Sequence, residues 1–234
     1  MDSQNRLSQT DAPATSLRLL ALSGPFATIL FTSSLVGFAA VRTDGYTHGT
    51  KAVSELGAVG APLASAFNIF GFILPGLLIV LLAVSLYRVG TAPAKAGPVL
   101  LALSGIALAA AGVFPVDMDQ RFSLPSQLHL AGAMLCGFFW ALSLFWIAPQ
   151  LKKRERFARL ARLTPWFALF LVGNIGWQIL WQSTGAVMPG WGQRIGFGGY
   201  FLWTAILGLM LAKGVDGVGE AGRGRREPDD AGRS

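Results

Sequence analysis

Six apolar runs divide the chain at near-regular intervals: Leu19–Val41, Leu63–Tyr87, Gly97–Val113, Leu130–Ala148, Pro165–Trp181 and Gly196–Ala212. Crossing the hydrocarbon layer of a bilayer takes ~20 mostly apolar residues in a helix. Helix is the form such runs take, because lipid offers no partner to an unpaired backbone N–H or C=O. The pattern therefore predicts an all-α membrane protein, a bundle of six transmembrane helices over residues 18–212. The flanking segments, 1–17 and 213–234, are polar and rich in Ser and Pro or in Gly, Arg and Asp, and are expected to be solvated and disordered. The first run is longer than the ~7–15 apolar residues of a signal-peptide core, which predicts a retained helix.

Composition leaves no room for a second, soluble domain. Hydrophobic residues make up 53% and charged residues 13%, against about 25% charged in an ordinary soluble domain. The lone Cys136 rules out an intrachain disulfide. No internal repeat is evident, so symmetry gives no support to an inverted-repeat transporter.

Charge adds an orientation. Fifteen of the 19 Lys and Arg residues fall on the side that carries both termini, and only Arg42, Lys51, Arg121 and Arg194 on the other. The positive-inside rule then predicts both termini in the cytoplasm, and the net charge of +7 becomes a topology device. The basic run Lys152–Arg162 acts as a stop-transfer cluster or holds anionic lipid head groups. No nucleic-acid partner is expected.

With this topology the three outer connections collect the unusual polar residues. The first, 42–62, carries Asp44, Tyr46, His48, Lys51, Ser54 and Glu55. The second, shaped by Pro115 and Pro125, carries Asp117, Asp119 and Arg121 and leads to His129 at the next helix start. The third carries Trp191, Gln193 and Arg194. In the helices, Asn68 lies in the outer part of the second, and Asn174, Gln178 and Gln182 recur every four residues, on one face of the fifth. Buried amides in lipid are costly unless paired, so these face the bundle interior, where they either join helices or line an outward-open cavity. The candidate ligand-binding residues are therefore Glu55, Asn68, Asp117, His129, Asn174, Gln178, Gln182 and Arg194. The pairs Gly105-xxx-Ala109, Ala107-xxx-Ala111 and Gly132-xxx-Cys136 predict close helix contacts. Trp177 and Trp181 fit an interfacial belt.

Asp117, Asp119 and His129 have the donor types for a divalent metal, with His48 or Glu55 to complete the shell. Their spacing matches no tight metal motif, and no cofactor is expected. Glu55, Asp117 and His129 also have the chemistry for acid–base work. Arg194, at a helix mouth, requires an anionic partner, and Glu55 or Asp117 is expected to supply it, with His129 bonded into the same cluster. No nucleotide loop, nucleophile elbow, paired-cysteine site or haem-attachment signature is present.

Ser54-Glu-Leu-Gly-Ala-Val-Gly-Ala-Pro62, Gly112-Val-Phe-Pro-Val-Asp117 followed by His129, and Gly192-Gln-Arg194 with Trp203 stand in this order among the six runs. In these motifs the chain resembles the domain of unknown function 998 family. The resemblance spans about Leu19 to Leu211 and implies a prokaryotic six-helix integral membrane protein of uncharacterised activity. It singles out Glu55, Asp117, His129 and Arg194. The leading expectation is a non-enzymatic multi-pass protein of a prokaryotic plasma membrane. Membrane lipids surround it, and it binds or passes a small polar or lipid-headgroup ligand through an outward-facing polar pocket. Two other readings stand beside it: a membrane-embedded hydrolase or transferase using Glu55, Asp117 and His129, metal-assisted or not, and a scaffold for a partner membrane protein.

Overall fold

The computed structural model describes the backbone of residues 3–89, 95–153, 155–183 and 190–223, and the side chains of residues 15–89, 95–153, 155, 157–180 and 190–214. The described residues form six long helices and no strand. They are α1 (Ser3–Ala40), α2 (Ala64–Val89), α3 (Ala96–Val113), α4 (Leu124–Lys152), α5 (Ala158–Ser183) and α6 (Trp191–Arg223). All six are long and apolar enough to cross a membrane. The helical backbone continues past the apolar runs into segments expected to be solvated: α1 begins at Ser3 and α6 reaches Arg223. A formed helix adds one hydrogen bond for each further residue, so propagation outward from a membrane span is cheap.

Helix α4 starts a turn and a half earlier than the apolar pattern suggests. Ser123 is extended and Pro125 lies in the first turn, where a missing N–H costs nothing and a fixed φ favours helix. The proline therefore starts the helix, and His129 lies inside it. Helix α2 is irregular at its other end. Leu63 takes a left-handed conformation (φ 57°), and a π-helical segment runs over Asn68–Ile73 before α-helix resumes at Leu74.

Each helix packs against its neighbours in sequence, and α6 packs back onto α1, so the six form a closed ring. Small residues set the seams. A Cβ on Gly76 would collide with the Gly105 carbonyl and stand 2.8 Å from the Ala109 nitrogen, so Gly105 and Ala109 are the face of α3 that α2 approaches. On its other face, Ala107 and Ala111 receive Gly132 of α4, whose Cβ would lie 2.9 Å from the Ala107 oxygen. Both small-residue pairs read from α3 are thus backbone contacts, to two different helices. The ring-closing seam uses Gly24 against Thr204 and Gly208 against Ala21.

Inside the ring, aromatic side chains from α1, α2 and α6 touch in series, from Phe38 through Phe67, Phe72 and Phe197 to Phe201 and Phe31. Buried polar groups among them are mostly paired: Trp203 Nε1 donates to Thr164 (3.1 Å), and Ser104 Oγ lies 3.1 Å from the Tyr200 hydroxyl. Large apolar side chains such as Phe26, Ile106, Phe138, Val172 and Leu202 stay exposed on the outside of the helices. In water such a surface would associate; against lipid chains it is the appropriate face.

Candidate functional site

The connections α1–α2 and α3–α4 and the described entry to α6, Gly190, meet at one end of the bundle. Val59 N–H donates to the Val116 carbonyl (2.9 Å) and Gly190 N–H to the Gly49 carbonyl (2.6 Å), tying the first connection to the second and to the start of α6. At the opposite end, Ser85 Oγ donates to the Leu17 carbonyl.

The α1–α2 connection holds a 3-10 turn, Val53–Gly57, whose first N–H groups need acceptors. Glu55 supplies one: its Oε1 accepts from Ala52 N–H at 2.9 Å while Oε2 lies 3.2 Å from Lys51 Nζ. Gln193, at the start of α6, supplies another, accepting from Val53 N–H at 2.9 Å. Arg42 closes the connection by pairing with Asp44 and donating to the Glu55 carbonyl (3.0 Å). The hydrogen-bonded Arg42 holds the exposed Asp44 carboxyl below its usual range.

Arg194 is the hub of this end. Its Nε donates to His48 Nδ1 (3.1 Å), one terminal nitrogen donates to the carbonyls of Lys51 (2.7 Å) and Gly190 (2.8 Å), and the other donates to the Tyr46 hydroxyl. These bonds use four of the five N–H groups that a guanidinium carries. The expectation of a carboxylate partner is corrected here: the ion pairs among the described residues of this face are Arg42–Asp44 and Lys51–Glu55. Glu55 is taken locally by its own turn and by Lys51, so Arg194 is left with neutral acceptors.

Burial, and then the charge of Arg194, lower the His48 pKa below its ordinary value. Burial also raises the Tyr46 pKa, against the pull of Arg194. Neutral His48 accepts at Nδ1, whereas protonated His48 would turn a donor toward a donor. The folded value lies below the ordinary one of about 6.5, so this tie is fully present above roughly pH 6.5 and is lost as pH falls toward the folded value. Amide exchange of residues 46–53, corrected for intrinsic rate, is expected to speed up between pH 7.5 and pH 5. Unchanged protection there would contradict the assignment.

The α3–α4 connection is organised separately. Asp117 Oδ1 accepts from the N–H groups of Asp119 (2.9 Å) and Gln120 (3.1 Å), a local turn, while Asp117 N–H donates to Ser126 Oγ. Asp119 and Arg121 are exposed. His129 is buried, and its Nδ1 lies 2.8 Å from the Ala111 carbonyl and 3.0 Å from that of Phe114, at the end of α3. Two carbonyl acceptors require the proton on Nδ1, so His129 caps α3 and stands edge-on to Phe72. It does not join the Arg194 cluster. Nor do Asp117, Asp119 and His129 form a metal set: the described residues contain no group of three His, Cys, Asp or Glu placed to hold an ion.

The amides divide. Asn68 is buried at the π-segment, its Nδ2 donating to the Gly57 carbonyl (2.9 Å) while its Oδ1 has no partner among the described residues. Asn174 is buried and donates to the Gly192 carbonyl (3.0 Å), joining α5 to the first turn of α6. Gln178 is half-buried with no hydrogen bond among the described residues, and the Gln182 and Trp181 side chains lie outside the described residues. Glu55, Asn68, Asn174 and Arg194 thus belong to one linked patch, and Asp117 and His129 to a neighbouring one joined to it through Val59–Val116. Tyr46, His48 and Gln193 complete the patch; they stand among the polar residues of the outer connections, His48 as a possible metal ligand, but not among the candidate ligand-binding residues. Their polarity is visible in the outer connections, but their partners, main-chain groups and side chains about 140 residues away, are marked by no pattern along the chain.

A family model described as a protein of unknown function (DUF998) matches residues 26–210. Neither the curated proteins nor the solved structures gave a match to this chain.

Proposed function

The chain belongs to the DUF998 family, whose description carries no activity, and from the chemistry of its loop-bearing end we propose that it is a non-enzymatic membrane protein binding a small anionic ligand or lipid headgroup there. One observation carries the reading. Arg194 is half-buried, and among the described residues its charge is met only by neutral acceptors and one N–H has no partner. A partly desolvated cation without a counter-ion gains from an anion more than an exposed one does. The neighbouring cations Arg42 and Lys51 already have their carboxylates, which makes Arg194 the charge on offer. The enzyme reading fares worse, since Glu55, Asp117 and His129 are each committed to capping a different backbone segment.

The ligand reaches this end from outside the cell if both termini are cytoplasmic, as the distribution of Lys and Arg supports; the prokaryotic plasma membrane is the setting that the family resemblance implies. On intact cells an impermeant thiol reagent is expected to label a cysteine at Ser123 and spare one at Glu155. Labelling of Glu155 alone would reverse the orientation. Native Cys136 is buried and gives little background.

Binding is tested with glycerol 3-phosphate on the purified full chain in detergent. It is expected to raise the thermal midpoint where equal glycerol does not, a saturating ligand at 100 times its Kd contributing about 2.7 kcal/mol. The shift should vanish in Arg194→Gln. No shift up to millimolar concentrations, or the same shift with glycerol, overturns the reading.

A further inference from the structure

The opposite end of the bundle carries a feature of another kind. Between the last turns of α4 and the first turns of α5 lies a groove of about 480 Å³. Its walls are apolar, with Leu144, Phe145 and Ala148 on one side and Ala161 and Ala168 on the other. Pro149 and Pro165 also line it, one inside each helix. A proline within a helix cannot donate to the carbonyl four residues back, and its ring forces that turn away. The carbonyls released are those of Phe145 and Ala161, both groove residues, so the sequence opens the space from both sides.

At the mouth stand Lys152 and Arg162. Both are exposed, and neither has an ion-pair partner among the described residues. Lys153 and Arg159 are exposed beside them, and Glu155 is the only carboxylate of that basic run. Trp146 and Trp166, 54% and 67% exposed, are the chain neighbours of the groove residues Phe145 and Pro165. Exposed tryptophans of membrane helices favour the headgroup region, which sets the two cations at phosphate depth and the apolar walls at acyl-chain depth.

We propose that this groove is a binding site for an anionic phospholipid of the leaflet on that side, one acyl chain lying between α4 and α5 and the phosphate resting on Lys152 and Arg162. The occupant follows from complementarity. An apolar slot open along two lipid-facing helices takes a chain, and two cations at its mouth, without a carboxylate partner among the described residues, select net negative charge over a zwitterion. The site is independent of Arg194, at the other end of the ring.

Native mass spectrometry of the full chain in detergent micelles, with equimolar phosphatidylglycerol and phosphatidylcholine, tests it. Phosphatidylglycerol is expected to be retained in preference, and Lys152→Gln with Arg162→Gln should weaken its binding about thirtyfold, two interfacial cations each contributing about fivefold. Phosphatidylcholine binding should not change. Ala148→Trp, which fills the groove and leaves both charges, should weaken phosphatidylglycerol about tenfold, roughly the value of one or two displaced methylenes. Inorganic phosphate in hundredfold excess should not displace the lipid. The proposal is overturned by equal retention of the two lipids, by a double variant that keeps the preference, by Ala148→Trp binding as the parent does (a bare charged surface), or by displacement with phosphate (a free-anion site). In an Arg194→Gln background the Lys152→Gln, Arg162→Gln pair should still weaken phosphatidylglycerol binding by the same factor, which separates this site from the one at the loop-bearing end.

Discussion

Leucine in place of Gly76 is expected to destabilise the folded bundle by about 3 kcal/mol or more, at the upper end of what overpacking costs. The reason lies in what the new side chain meets. A Cβ at Gly76 runs into the Gly105 carbonyl, the Ala109 nitrogen and the Ala109 methyl. Two of these are backbone atoms of a helix that cannot yield without moving α3 as a whole. Helix α3 is itself held on its far side, where Gly132 of α4 abuts Ala107 and Ala111, so displacement at one seam strains the next. The control is built into the chain: a Cβ on Gly37, Gly173 or Gly176 meets nothing within 4 Å. Leucine at these positions should change stability by about 1 kcal/mol at most and in the favourable direction, since glycine is the poorer helix former. Unfolding midpoints in mixed micelles decide it. If Gly76→Leu and Gly173→Leu behave alike, the α2–α3 seam does not hold the bundle as described.

Arg194→Ala is expected to release the α1–α2 connection from α6, at a cost of about 3 kcal/mol of local stability. Hydrogen bonds to a charged group contribute about 1.5–3 kcal/mol each when isolated, and four acceptors that share one guanidinium in a half-exposed site give much less than their sum. The measurable result is faster amide exchange over residues 46–57, with protection in α3 and α4 unchanged. Arg194→Lys should not restore it, because an ammonium cannot meet two carbonyls, a hydroxyl and a ring nitrogen through a planar fork. Tyr46→Phe removes one acceptor of Arg194 and the hydroxyl that donates to the Ala52 carbonyl (3.1 Å), and should cost about 1–2 kcal/mol. Full protection in Arg194→Ala would mean that Gln193–Val53 and Gly190–Gly49 suffice to hold the connection, and that Arg194 is free for a ligand alone. The absence of an orphaned carboxylate distinguishes this from the outcome expected of a salt bridge. Glu55 keeps Lys51 and the Ala52 N–H whether or not Arg194 is there.

Much of this protein is written along its sequence. The six spans follow from hydropathy, which is a property each residue carries with it and which sums over ~20 neighbours. The α3 seams follow from small residues at helical spacing, because only they allow backbones to touch. What the sequence could not supply is who meets whom at the loop-bearing end. Val53 and Gln193 are 140 residues apart, and Tyr46 and Arg194 are 148 apart; they meet only because the ring closes α6 onto α1. The acceptors chosen there and at His129 are largely main-chain carbonyls, which every residue possesses and no pattern marks. Charge pairing failed as a guide for a related reason. Lys51 is one turn from Glu55, and a local partner costs far less chain entropy than a distant one. Arg194, arriving from the far end of the chain, found the carboxylate occupied and was left to the dipoles that the closed ring had gathered around it.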